Sequence, residues 1–163
     1  MLISEDIRRI SEMMGVNPIN RPDLKSEMDE IQRVTQYLNR DEGLHVTVNE
    51  LVDVFDKSKE VTLNKDIWDE LENTESNDVE KGDMDKVNKI ADTYDKSNPS
   101  KLKNSFEDGS YKRPLILKFN NRYHLVAGNT RLCTAAAMGI QPKVFIGELT
   151  DSDQTDTNNK TNN

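Results

Sequence analysis

Tyr123-His-Leu-Val-Ala-Gly-Asn-Thr-Arg-Leu132, continuing into Cys133-Thr-Ala-Ala-Ala-Met-Gly-Ile140, is the stretch that decides the fold of this chain. The apolar run up to Ala127 describes a strand, and the alanine-rich run after Gly128 describes a short helix. Strand and helix meet with no linker between them. A helix start carries unpaired backbone N–H groups and the positive end of the helix dipole, and so attracts anions. Gly128 permits close approach of the backbone, Asn129 and Thr130 can cap or donate, and Arg131 adds a charged fork suited to phosphate oxygens. The same residues also suit a plain capped helix with Arg131 in solvent.

Outward from this junction the pattern continues. Pro114-Leu-Ile-Leu-Lys-Phe119 is a strand with proline at its tolerated first position. Asn120-Asn121 is a two-residue turn that accepts positive φ, so Arg122 to Ala127 returns antiparallel. Gly139 stops the helix that starts at Asn129. Pro142 to Leu149 follows as another strand, completing a β-β-α-β unit.

Upstream, helical spacing dominates. Met1 to Gly15 reads as a short amphipathic helix, with Asn17 to Pro22 as an extended linker. Asp23 to Leu38 reads as a second helix with Asp23 as its cap. Thr47 and Glu50 have capping-box spacing before Leu51 to Phe55. Val61 to Leu63 is a short strand, Asn64 caps a turn carrying Ile67, Trp68 and Leu71, and Asn73 to Asp78 is a polar break. Met84, Val87, Ile90, Ala91 and Tyr94 describe another helix, closed by Ser97 to Ser100, and Lys101 to Phe106 one further turn. The fold class is therefore α+β, with N-terminal helices ahead of the β-β-α-β unit. Its divisions are a helical region at 1–58, a domain at 59–149 and a polar tail at 150–163, which lacks apolar side chains and is expected to be disordered.

The 163 residues are 34% apolar and 32% charged, with a net charge of −8. This composition opposes nucleic-acid binding over the whole surface, which needs clustered Lys and Arg. A local basic stretch does exist at Lys101, Lys103, Lys112, Arg113, Lys118 and Arg122. No apolar run is long enough to cross a bilayer and Met1 to Asp6 lacks a signal-peptide pattern, so no membrane partner is expected and the cytoplasm is the expected location. Cys133 is the single cysteine, which excludes an internal disulfide. It is either a small core residue or a thiol activated by the dipole and Arg131.

Taken together, Pro114 to Leu117, the Asn-Asn hairpin, Tyr123 to Leu132, the alanine helix ending at Ile140, and Pro142 to Ile146 resemble the ParB/sulfiredoxin-like superfamily. Gly128-Asn-Thr-Arg131 is similar to that family's Gly-His-Thr-Arg variant, with Asn129 in place of His. The Trp68 to Thr74 segment, with this motif, looks like small ParB-like proteins of large tailed bacteriophages. The resemblance covers Val61 to Leu149, with the helix Met84 to Tyr94 preceding the first matched strand. It implies a nucleotide-phosphate site at Gly128, Asn129, Thr130 and Arg131, taking ATP or CTP with Mg²⁺. Sulfiredoxin-type chemistry needs a cysteine between the glycine and the arginine, where this chain has Asn129 and Thr130. Partition-type clamps carry a richer arginine motif and a following helix-turn-helix domain; here one arginine stands at the junction and a polar tail follows, so a clamp of that kind is not expected.

Phosphoryl transfer or hydrolysis would further need an acid/base group and a carboxylate. His124, on the strand leading into the junction, is the candidate acid/base. Glu80, Asp83 and Asp85, by family position, are the candidate carboxylates, and they equally suit a solvated helix start. Three functions follow: a nucleotide-binding phosphotransferase or hydrolase, a DNA-binding or nuclease module using the same anion site, and a non-enzymatic phage accessory protein. In the last, the N-terminal helices would contact a phage or host protein.

Overall fold

A computed structural model describes residues 21–94 and 99–150 of the chain. The expected helix Met1–Gly15, residues 17–20 of the linker, residues 97–98 of the closing segment and residues 151–163 of the tail lie outside the described residues. Within them the order is α1 (Met28–Asp41), α2 (Val48–Asp56), β1 (Lys59–Thr62), α3 (Lys65–Glu70), a 3-10 turn (Ser76–Asp78), α4 (Met84–Tyr94), α5 (Pro99–Asp108), β2 (Leu115–Phe119), β3 (Arg122–Ala127), α6 (Asn129–Met138) and β4 (Lys143–Glu148). The protein is thus α+β, with six α-helices among the described residues around a small mixed sheet.

The sheet order is β1-β4-β2-β3. β2 and β3 pair antiparallel through the hairpin, where Asn120 and Asn121 adopt φ of 50° and 59°. Asparagine tolerates this left-handed conformation better than most residues, which makes the pair a twist-compatible two-residue turn. β4 returns from α6 to run parallel to β2, and its other edge takes β1 antiparallel. The outer edge of β3 is occupied as well, by the backbone of Glu72. Glu72 N donates to Tyr123 O at 2.9 Å and Leu125 N donates to Glu72 O at 3.0 Å.

Side-chain alternation gives the sheet two apolar faces. Leu115, Leu117, Phe119, Val126 and Phe145 pack with Ile31, Val34 and Leu38 of α1 and Leu51 and Phe55 of α2. On the other face Ile116, Leu125 and Val144 meet Leu63, Leu71 and Leu132, with Ile67 and Trp68 at the margin. Behind α6, Cys133 and Ala137 pack on Val87 and Ile90 of α4. The small residues of α6 explain that arrangement, since alanines let a helix lie close to both a sheet and a neighbouring helix. The N-terminal helices share one core cluster with the strands.

Several local expectations hold. Thr47 Oγ1 accepts from Glu50 N at 3.1 Å, and Asn64 Oδ1 accepts from Ile67 N at 2.9 Å, capping α2 and α3. Others shift. The second helix starts at Met28 rather than after Asp23, whose carboxylate caps a preceding turn by accepting from Ser26 N at 3.3 Å. The single turn expected near Lys101 is a ten-residue helix, α5.

The junction between β3 and α6 requires glycine. Gly128 adopts φ of +110°, and a Cβ there would lie 2.7 Å from the Cβ of Pro114. Backbone conformation and packing thus exclude a side chain together. Gly128→Ala is expected to destabilise the fold by roughly 2 to 4 kcal/mol, combining left-handed strain with overpacking. Denaturant unfolding of the two proteins measures this directly.

Candidate functional site: the cleft at the start of α6

A cleft of about 1260 Å³ opens at the C-terminal end of β3. One wall is α1, including Glu27, Glu30, Val34 and Tyr37; another is the segment Glu72–Glu75; α5 and Ser110–Lys112 complete the rim. Its inner end holds His124 to Ala127 and the Gly128–Arg131 junction. All four junction residues expected to bind phosphate therefore reach one cleft, and His124 joins them.

The junction offers its backbone more freely than its side chains. Among the described residues no side chain caps α6, and the first intrahelical bond runs from Leu132 N to Gly128 O at 2.9 Å. The N–H groups of Asn129, Thr130 and Arg131 precede that ladder, which leaves them available to a ligand. The Asn129 side chain turns away from this role. Its Oδ1 accepts from Thr74 Oγ1 and from Glu75 N, both at 2.9 Å, tying the polar segment 74–76 to α6. Thr130 is buried, and its carbonyl accepts from Thr134 Oγ1 at 2.8 Å.

Arg131 is not held out into solvent. Its Nη2 donates to Glu27 Oε1 at 2.8 Å, and its Nη1 donates to Lys112 O at 3.3 Å. The two charged side chains are 14% and 12% exposed, so each is the other's main compensation in a largely desolvated place.

His124 faces the α1 side of the sheet, stacked on Tyr37 with ring centroids 4.7 Å apart. It is 8% exposed, and its Nδ1 has no hydrogen-bond partner among the described residues. The nearest carboxylate oxygen, Glu72 Oε1, is 3.5 Å away, so the contact is electrostatic rather than a formed hydrogen bond. Burial pushes the imidazole below the usual histidine range, and Glu72 only partly offsets this. Glu72 itself is engaged by Arg122, whose Nε and Nη2 donate to its two oxygens at 2.8 and 2.9 Å. Arg122 Nη1 also donates to Glu42 at 2.8 Å, and Tyr37 donates to the same carboxylate at 2.6 Å. Hydrogen bonds from Arg122 hold both carboxyls below their ordinary range.

The remaining candidates fall outside the junction. Glu80, Asp83 and Asp85 do not line the cleft. Gly82 N donates to Ala137 O at 2.6 Å, which puts this acidic group at the C-terminal end of α6, about 15 Å of helix rise from Gly128. Asp83 caps α4 by accepting from Lys86 N at 3.2 Å, the structural role that an acidic helix start performs. Cys133 is buried, and burial, with Glu75 and Asp78 adding to it, pushes its thiol up to about 12, so it packs rather than reacts. The basic stretch is divided among ion pairs: Arg113 with Glu60, Arg122 with Glu42 and Glu72, Lys112 with Asp23. Among the described residues no group of three His, Cys, Asp or Glu side chains gathers to hold a metal ion.

Family models, curated proteins and solved structures offer no match to this chain. The site therefore stands on its own geometry. Glu27, Tyr37, Glu72 and Arg122 are the residues that pattern reading does not find. Each acts through a partner 50 or more residues away or through a ring stacked across the sheet, and no local spacing encodes that.

Two outcomes are expected. Asn129→Ala removes the acceptor of two partly buried hydrogen bonds and should cost about 1 to 3 kcal/mol in chemical denaturation. Because the folded protein favours neutral His124, the unfolded chain binds the extra proton first as pH falls. Stability is then full above the unfolded histidine value near 6.5 and declines as pH drops toward the lower folded value. Melting temperature measured between pH 7.5 and 5 should fall, and His124→Phe should flatten that part of the profile.

Proposed function

We propose that the chain is a ParB/sulfiredoxin-like protein that binds a phosphorylated ligand, a nucleotide such as ATP or CTP, in the cleft ahead of α6. The observation that carries this reading is the uncapped first turn of α6 opening into that cleft beside Arg131. Such a turn offers a cradle of backbone donors and a favourable dipole. His124 supplies a second, independent feature, a buried nitrogen without a partner on the same cleft. The order of hairpin, glycine turn, alanine helix and closing strand also supports the family resemblance.

The charge of the cleft favours a compact ligand over a polynucleotide backbone. Glu27, Asp29, Glu30, Glu72 and Glu75 line it together with Arg33, Lys101, Lys112 and Arg131, so cations hold no excess. A backbone reader needs such an excess along a continuous track. Magnesium would arrive on the nucleotide's phosphates, since the wall offers carboxylates but no cage of three. Turnover, where it occurs, would draw on a carboxylate of the cleft wall rather than on the remote Glu80, Asp83 and Asp85.

Calorimetric titration of ATP, CTP and ADP, with and without Mg²⁺, tests the reading. Binding by the intact protein is expected, together with a loss of about tenfold or more in Arg131→Ala, as for removal of a charge-assisted contact. Failure of all three nucleotides to bind the intact protein would overturn it. A steep fall of binding with salt would point to a nucleic-acid backbone instead.

A further inference from the structure

Glu27 lies 104 residues from Arg131 in sequence, yet the two side chains pair on the cleft that the start of α6 lines. Glu27 sits at the N-cap of α1, where a carboxylate ordinarily serves its own helix, and it makes no such capping bond. Its carboxylate instead reaches across the cleft. The turn that carries it, residues 23–27, is fastened by exposed polar contacts: Lys112 Nζ donates to Ser26 Oγ at 2.6 Å and lies 3.8 Å from Asp23. Solvent-exposed contacts of this kind contribute little. Leu24 alone anchors the turn in the core.

We infer that Glu27 is a built-in carboxylate occupant of the Arg131 fork, which admits terminal phosphate groups and turns away internal phosphodiesters. This inference rests on the proposed phosphate site. The selection follows from charge. An internal phosphodiester carries one negative charge, no more than the carboxylate it must displace, and it leaves Glu27 facing an anion without compensation. A terminal phosphate carries nearly two charges at neutral pH and offers three acceptor oxygens. It can take both arms of the fork, displacing Glu27 from Nη2 and the longer contact of the Lys112 carbonyl from Nη1, together with the amides at the start of α6. The ligand class is accordingly a phosphate monoester or polyphosphate, and residues 23–27 act as a strap that such a ligand lifts.

The test compares inorganic pyrophosphate, AMP and 3′,5′-cyclic AMP, the last two differing in whether the phosphate is terminal. Affinities are measured on the intact protein, on Glu27→Gln, and on Asp29→Asn, which removes the same charge from the cleft wall but not from the carboxylate that accepts from Arg131. Glu27→Gln should raise affinity for cyclic AMP about tenfold and for AMP by much less, narrowing the selectivity, while Asp29→Asn leaves the ratio unchanged. Glu27→Asp, which keeps the charge but shortens its reach, should narrow the ratio in part and serves if the glutamine variant fails to fold. Pyrophosphate should also speed amide hydrogen exchange across residues 24–31 of the intact protein. If pyrophosphate binds but the ratio is the same in both Glu27 variants, or if Asp29→Asn shifts it equally, the assignment of Glu27 is overturned and the phosphate site stands. If no probe binds the intact protein or Glu27→Gln, the site and the role of Glu27 fall together.

Discussion

The backbone reversal at Gly128, pressed against Pro114, is the constraint on which the rest of the structure depends. It ends β3 and starts α6 within one residue, so the helix leaves the sheet at a fixed angle and its first turn faces outward. The alanines that follow let α6 settle between the sheet and α4. The chain then returns through Lys143 to Glu148 alongside β2, and β1 joins the far side. A looser connection would leave both the direction of α6 and the placement of β4 undetermined. The strand-helix-strand geometry is thus set by one left-handed residue and the proline that shields it.

Much of this was legible in sequence because the signals are local. Two asparagines in a row announced the hairpin, Thr47 and Asn64 announced helix starts, and the spacing of Met84, Val87, Ile90 and Ala91 announced α4. Boundaries were less legible where a turn mimics a helix, as at Asp23 to Glu27. The site divided along the same line. Gly128 to Arg131 could be identified as a junction, since glycine and a helix start are sequence-near features. The partners of that junction could not. Glu27 meets Arg131, Thr74 meets Asn129, and Glu72 meets Arg122, all across long separations. Composition misled in one respect: the Lys and Arg crowded between 101 and 122 read as a basic patch, whereas folding places carboxylates from distant segments against several of them.

Arg122 organises the opposite wall of the cleft. It joins Glu42, at the end of α1, to Glu72, on the segment alongside β3. Tyr37 adds its hydroxyl to Glu42 and its ring to His124. These groups form a mutually compensated set in which only the histidine nitrogen is left without a hydrogen bond. The Arg122 guanidinium keeps Glu72 ionised on the wall through neutral pH, while burial favours the uncharged form of the imidazole stacked on Tyr37. The cleft therefore has one wall held by the Arg122 ion pairs and an inner end where an uncharged imidazole precedes the Arg131–Glu27 pair.

The pairing of Glu72 with β3 has a consequence beyond the cleft. A strand at the border of a sheet presents unused backbone groups to any passing chain. Laying Glu72 beside Tyr123 and Leu125 occupies that border, and the same residue's carboxylate is locked to Arg122. The opposite border, β1, is only four residues long and carries Lys59 and Glu60. The sheet is in this way guarded at one side by its own backbone and at the other by brevity and charge. Such a fold resists strand-to-strand self-association when the protein is concentrated.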